Sequence, residues 1–154
     1  MFIEVYDDTT ASVVWLFAGT TNTVDDHERW LSSMLRLDAS SNGRPGAALL
    51  LIDEGNPPPS SSVRERLPGI ARSVRNTSPL AVVTSSSVAR GIIAGLDFTG
   101  VVRFPLKGFA SVDDAIGWLG RSNAACDPSL LHELVDEARA RSRRTASSRM
   151  TIEH

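Results

Sequence analysis

The chain has 154 residues, 42% hydrophobic and 22% charged, which is enough apolar sequence for one folded domain and excludes general disorder. The formal net charge of −2 excludes a strong overall attraction to nucleic acid or to an anionic membrane. The single cysteine, Cys126, excludes an intramolecular disulfide and a multi-cysteine metal site.

The first elements predicted along the chain are a β-hairpin and a helix. Residues 2–6 alternate apolar and polar side chains, residues 12–18 are denser in apolar groups, and a polar turn joins them. Thr23 followed three residues later by Asp26 has the spacing of a capping box, which predicts a helix start. The helix is expected to end at residues 40–43, where serine, asparagine and glycine follow one another.

A buried strand and a second helix are predicted next. Residues 47–52 form a continuous apolar run that closes on Asp53, which is typical of a strand covered on both faces. A loop with three consecutive prolines follows. Ser62 and Glu65 repeat the capping-box spacing, and Pro68 predicts a kink or a restart within the helix that they begin.

The second half of the chain predicts two more strands and three more helices. Strands are expected at residues 80–84 and 101–104. Serines 85–87 are expected to cap the third helix, Ser111 the fourth, and an Asp-Pro pair at 127–128 the fifth. The third helix is expected to turn four apolar side chains inward, namely Val88, Ile92, Ile93 and Leu96. After Arg139 the chain is rich in Arg, Ser and Thr and is expected to fray.

This order predicts an α/β fold with a mixed, mainly parallel sheet of about five strands. The first strand is expected to be antiparallel, about four helices cover the sheet, and one extra helix follows. The expected domain division is a compact α/β domain over 1–121, a C-terminal helix over 122–140 and a flexible basic tail over 141–154.

The order of elements resembles the STAS domain, and within it the bacterial proteins often called SpoIIAA-like. The residues that carry the resemblance lie in four stretches: 49–53, 60–63, the strand at 80–84 with its serine-capped helix, and 111–119, which is similar to an acidic helix of the form xxDEAxxWL. The resemblance covers residues 2–121. It implies a regulatory, protein-binding role in which a partner kinase phosphorylates a serine at the start of the second helix.

The segment that matches this serine is 59–63. It contains Ser60, Ser61 and Ser62 but lacks the Asp and the Gly that flank the phosphorylated serine of the family. We expect Ser60, Ser61, Ser62 and Arg64 to serve phosphorylation or partner contact, because a helix start stabilises an added phosphate. Loop and capping roles, or anion binding, are the alternatives.

A second expected site is a crevice at the carboxyl ends of the parallel strands, where open α/β sheets bind ligands. Asp53, Ser86, Ser87 and Arg90 are its candidate residues. Capping by the serines and loop anchoring by Asp53 are the alternatives.

Other chemistry-bearing residues point to no site. His27 lies among acids and is expected on a solvated helix face, and Cys126 is expected to be an inert thiol. His132 with its acidic neighbours supplies too few ligands for a metal. Nucleotide-binding and hydrolase motifs are absent from the sequence, so neither a metal nor another cofactor is expected.

The sequence is therefore compatible with three functions. The first is a non-enzymatic regulatory or protein-interaction module of STAS-like type that binds a protein partner. The second is a small-molecule or lipid carrier of SEC14-like type, which requires a sizeable apolar cavity under the third or fourth helix. The third is an enzyme whose site forms only on folding, for example from Asp53 with Arg90.

Partners and location complete the expectations. The fifth helix carries an apolar stripe with two possible uses, pairing of two chains as a homodimer or packing on the parent domain; its residues are Leu130, Leu131, Leu134 and Val135. The basic run 139–144 lacks aromatic residues, so nucleic-acid binding is not expected. No segment reaches the ~20 apolar residues of a membrane span, and residues 1–8 do not resemble a signal peptide, so a cytoplasmic location is expected.

Overall fold

The computed structural model describes residues 1–152. Its strands are β1 (Phe2–Asp7), β2 (Ser12–Phe17), β3 (Ala47–Ile52), β4 (Leu80–Val83) and β5 (Leu106–Phe109). Its helices are α1 (Val24–Ser40), α2 (Ser61–Ser73), α3 (Ser87–Thr99), α4 (Val112–Ser122) and α5 (Pro128–Ile152). Among these described helices, none combines the length and the apolar character needed to cross a membrane.

The strands form one sheet whose spatial order follows the chain, β1-β2-β3-β4-β5. β1 pairs antiparallel with β2, so that Phe2 lies opposite Phe17 and Asp7 opposite Ser12. The remaining neighbours are all parallel pairs. The predicted fold class, a mainly parallel α/β sheet with an antiparallel first strand, is confirmed.

Helices cover both faces of the sheet, because neighbouring residues of a strand point to opposite sides. On one face, Leu16 and Leu49 pack against α4 and α5, including Leu119 and Leu131. On the other face, the rings of Trp15 and Phe17 pack against α1 and α2. α5 lies against β1 and β2, whereas α3 lies against the edge strand β5.

The last strand lies a few residues later than the sequence predicts. Residues 101–104 form a bend in which Phe104 is buried, and β5 begins only at Leu106. The intervening proline contributes its carbonyl to the sheet by accepting a hydrogen bond of 2.8 Å from Leu80 N–H. β5 contains Lys107 and Gly108, residues that are depleted in strands, so the sequence pattern favours the apolar pair at Val101 and Val102 as the strand instead.

Four of the five predicted helix starts, including the Asp-Pro pair at 127–128, are confirmed and one is corrected. Thr23, Ser86 and Ser111 each accept a hydrogen bond at the start of α1, α3 and α4. α2 begins at Ser61 with Ser60 as its N-cap and without a side-chain capping bond, so the capping box predicted at Ser62 is wrong. Pro68 lies inside α2, and the helix continues through it to Ser73.

α5 is longer than predicted, because it does not end near Arg139 but continues to Ile152. Glu137 accepts hydrogen bonds from Arg141 at 2.8 Å and from Arg144 at 3.3 Å, which supports the second half of the helix. The hydrogen bond from Arg141, with the charges of both arginines, holds the pKa of Glu137 below its ordinary value. Arg141 also donates to the backbone carbonyl of Glu4 at 3.2 Å, so this part of the helix runs alongside β1.

Candidate functional site

Asp53, at the carboxyl end of β3, is held by the protein's own groups. Its carboxylate accepts a hydrogen bond of 2.8 Å from Gly19 N–H. It also forms an ion pair with Arg139 of α5, on the opposite side of the sheet from α1. The carboxylate therefore anchors the loop after β2 and fastens α5, which is the loop-anchoring alternative rather than a free ligand carboxylate.

Two asparagines that carry no recognised motif in the sequence fill the same end of the sheet. Asn56 donates from Nδ2 to the carbonyl of Gly19 at 2.9 Å. Asn22 donates from Nδ2 to Asn56 Oδ1 at 2.7 Å and to the carbonyl of Pro57 at 2.7 Å. Because these bonds tie the loops after β2 and β3 to each other, this half of the expected crevice is closed. The sequence signal that could have identified these two residues is the frequency of asparagine in turns.

The residues at the end of β4 hold the start of α3. Ser86 Oγ accepts from Ala89 N–H at 3.1 Å, and the exposed Ser87 is the first residue of the helix. Arg90 donates from Nη1 to the carbonyl of Thr84 at 2.7 Å. In the part of the chain that the structure describes, Asp53 pairs with Arg139 and Arg90 with a backbone carbonyl, so the acid/base pair expected for an enzyme is not formed.

The serine segment at the start of α2 is exposed. Ser60 and Ser62 share a hydrogen bond with an oxygen–oxygen distance of 3.0 Å, and Ser61 is also exposed. Arg64 is exposed, whereas Arg66 forms an ion pair with Glu28 of α1. The hydroxyl groups are thus accessible, and Arg64 is the neighbouring arginine that remains available to an anion.

His27 is a core residue, and the prediction of a solvated position is wrong. It is 4% exposed, its ring stacks on Phe17 at a centroid distance of 4.8 Å, and its Nδ1 lies 3.2 Å from the carbonyl of Thr23. Asp26 beside it is also buried and accepts hydrogen bonds from Thr23 N–H and Phe2 N–H. The side chains of both residues point to the sheet, although the acidic neighbours of His27 predict a solvent-exposed position.

Asp26 ionises more readily than an ordinary aspartate. Burial by itself raises its pKa, but the hydrogen bond from Thr23, the nearby N-terminal ammonium and the hydrogen bond from Phe2 outweigh burial, so the pKa is lowered. The ammonium of Met1 lies 3.4 Å from the carboxylate. The buried charge is therefore compensated and joins the start of α1 to β1.

The other titratable candidates do not assemble into a site. Residues 1–152 contain no cluster of three metal-ligating side chains, and His132 instead lies 3.8 Å from Asp113 of α4. Burial, with the charge of Asp127, raises the pKa of the Cys126 thiol, which lowers its thiolate fraction at neutral pH.

The largest departure from the sequence analysis lies in α3, whose apolar side chains face solvent. Val88 is 73% exposed, Ile92 61% and Phe98 92%. Leu96 is 39% exposed, and Ile93 alone of the predicted inward set packs against the core. The prediction that Val88, Ile92 and Leu96 are buried is therefore wrong.

We define the α3 face as the exposed side of this helix; it consists of Val88, Gly91, Ile92, Gly95, Leu96 and Phe98. Their spacing places them on one side of a helix, and none of them is charged. A Cβ atom added at Gly91 or Gly95 would meet nothing within 4 Å, so the middle of the face is open. Arg90 lies on the other side, where its backbone passes Gly108 of β5.

A separate cavity of about 80 Å³ lies under the C-terminal half of α1, at the amino ends of β2, β3 and β4. Its walls are mainly apolar and include Trp15, Met34, Leu37, Leu80 and Phe104. The carrier hypothesis placed a sizeable cavity under α3 or α4. This cavity lies elsewhere and is smaller than the ~300–1,000 Å³ of drug-sized ligand pockets.

Comparison of the chain with protein-family models, with curated proteins and with solved structures found no match. The STAS-like resemblance accordingly rests on the residues and the order of elements given above.

Proposed function

We propose that the chain is a non-enzymatic protein-interaction module of STAS-like type, and that the α3 face is its interaction surface. The observation that carries the proposal is the exposure of Val88, Ile92 and Phe98 on one uncharged helix side. Contiguous apolar patches of this kind mark interaction sites in folded proteins. The ordered loops at the carboxyl ends of β2 and β3 favour this surface over the crevice.

The partner that this surface fits is a second copy of the same chain. The face carries no charge, so two copies meet without electrostatic repulsion. For the same reason, the face does not favour a partner with a charged surface. Gly91 and Gly95 lie one helical turn apart with open space above them, which lets the backbones of two helices approach closely. A surface that is complementary to itself pairs about a two-fold axis.

The size of the face indicates a weak, reversible dimer. The large side chains from Val88 to Phe98, with Val101 beside them, present on the order of 500 Å² of apolar surface. Two such surfaces bury roughly 1,000 Å², which is at the lower limit for a specific interface. An interface of this size belongs to the weak, transient class, so the fraction of dimer should rise with protein concentration.

The test is sedimentation velocity of the full chain over a range of concentrations. We expect the wild-type chain to shift from monomer to dimer with rising concentration and Ile92→Glu to remain monomeric. Leu35→Glu is the matched control, because Leu35 is a 44% exposed apolar residue on a different helix. A wild-type chain that is monomeric throughout, or equal association by both variants, overturns the proposal.

A further inference from the structure

The cavity under α1 is independent of the α3 face and has the features of a small-ligand site. It is bounded by α1 and the loop after α2 on one side and by the amino ends of three parallel strands on the other. Ala48, a small residue at the start of β3 that faces this side of the sheet, leaves space that a larger side chain would fill. Trp15 and Phe104 supply flat aromatic walls, and Met34 supplies a polarizable one.

Three of the polar residues that line it, Asp38, Asn76 and Ser78, are already hydrogen-bonded within the chain at its mouth. Asp38 accepts a hydrogen bond of 2.7 Å from Asn76 N–H and one of 3.0 Å from Arg75 N–H. Asn76 donates from Nδ2 to Ser41 Oγ at 2.8 Å and accepts from Ser78 N–H at 2.8 Å. The mouth is therefore held in place, and it presents a carboxylate rather than a cation.

We propose that this cavity binds a small uncharged aromatic molecule, with the ring inside and any polar substituent at the mouth. The volume of about 80 Å³ is roughly half that of the ~150 Å³ cavity that encloses benzene in an engineered protein. Because the cavity reaches the surface, a single ring enters without being fully enclosed. The carboxylate of Asp38 disfavours an anionic ligand, and the apolar walls offer little to a sugar or a nucleotide.

Titration of the full chain with phenol, followed by two-dimensional amide NMR, tests the proposal. We expect saturable shifts of the Trp15 indole and the Ala48 amide, with a dissociation constant on the order of 1 mM or tighter. Benzoate has the same ring with a negative charge, and we expect it to bind at least about tenfold more weakly because it meets Asp38.

Filling the cavity supplies the matched variants. Ala48→Leu is expected to abolish the shifts, whereas Ala39→Leu, the same change at an exposed position of α1, is expected to leave them intact. The amide spectrum shows whether each variant is folded, and Ala48→Val replaces Ala48→Leu if the larger residue prevents folding. The proposal is overturned by the absence of saturable shifts, by shifts that persist in the filled variant, or by shifts confined to the α3 face.

Discussion

Helices α3 and α5 both carry an apolar stripe, and the structure uses the two stripes in opposite ways. In α5, Leu131 is fully buried and Leu134 and Val135 are 8% exposed against the sheet. In α3, Val88 and Ile92 are largely exposed. The sequence predicts the α3 stripe as core and leaves two uses open for the α5 stripe, pairing with a second chain or packing on its own domain. The alternative, that the α5 stripe packs on its own domain, is what the structure has.

The difference comes from where each helix lies on the sheet. α5 crosses β1 and β2, and the β2 strand beneath it is buried along its whole length. α3 connects two four-residue strands and lies against β5, which is the edge of the sheet. A short edge strand gives a helix less surface to cover. The spacing of apolar residues therefore predicts a stripe, whereas the position of the helix decides what covers it.

The largest expected effect compares one leucine from α5 with one isoleucine from α3. Leu131→Ala should lower the free energy of unfolding by about 2–5 kcal/mol, because it removes a fully buried side chain. Ile92→Ala should change it by less than about 0.5 kcal/mol, because that side chain is mostly in water. Urea unfolding at low protein concentration measures both. Equal losses would show that α3 is covered within the single chain.

A smaller effect is expected from the polar contact that fastens α5. Arg139→Ala should lower the free energy of unfolding by about 1 kcal/mol, because the ion pair with Asp53 is partly exposed. Arg143→Ala, at an exposed position of the same helix, is the control and should be neutral within about 0.5 kcal/mol. If the two variants are equally stable, the contact with Asp53 does not hold α5.

Helix α1, like α5, packs on the sheet. The stability that its first turn contributes should depend on pH. The lowered pKa of Asp26 means that its contribution to stability is complete above the pKa of an unfolded aspartate and is lost as the pH falls through the lower, folded value. Between about pH 6 and about pH 3, the wild-type chain should therefore lose more unfolding free energy than Asp26→Asn.

Chemical denaturation at several pH values in this range measures how steeply the unfolding free energy of each protein changes with pH. Asp25→Asn serves as the control, because Asp25 is an exposed neighbour in the first turn of the same helix, and its slope should match that of the wild type. If the unfolding free energy of Asp26→Asn falls with pH as steeply as that of the wild type, Asp26 does not help to attach α1 to the sheet.

The smallest expected effect concerns the serine segment. Ser60, Ser61 and Ser62 lie outside the α3 face, so changing all three to Asp should leave the dimer dissociation constant within about twofold of the wild type. Sedimentation velocity checks this at the same concentrations. A weakening of tenfold or more would move the interaction surface from α3 to the start of α2, where the sequence resemblance first placed it.

Local signals in the sequence predicted most of the fold. Some signals act within a few residues and can be recognised from the sequence alone. They are the apolar runs of β2, β3 and β4 and the capping residues Thr23, Ser86 and Ser111. β5 was misplaced because Lys107 and Gly108 are poor strand formers, and its pairing depends on the neighbouring strand.

The sites were less predictable, because they depend on contacts between distant residues. Asp53 and Arg139 are 86 positions apart, and no local pattern links them. His27 was expected in solvent from its acidic neighbours, although its ring lies against Phe17. The exposure of Ile92 reflects the sheet edge beneath α3, which a single helix pattern does not contain.

Disulfide trapping measures most directly whether two α3 faces meet. The full chain with Cys126→Ser and Ile92→Cys would be oxidised mildly, with Leu35→Cys in the same background as the control. Two cysteines form a disulfide only when their Cα atoms come within about 7 Å. We predict a disulfide-linked dimer for Ile92→Cys and monomer for Leu35→Cys; monomer from both would contradict pairing through α3.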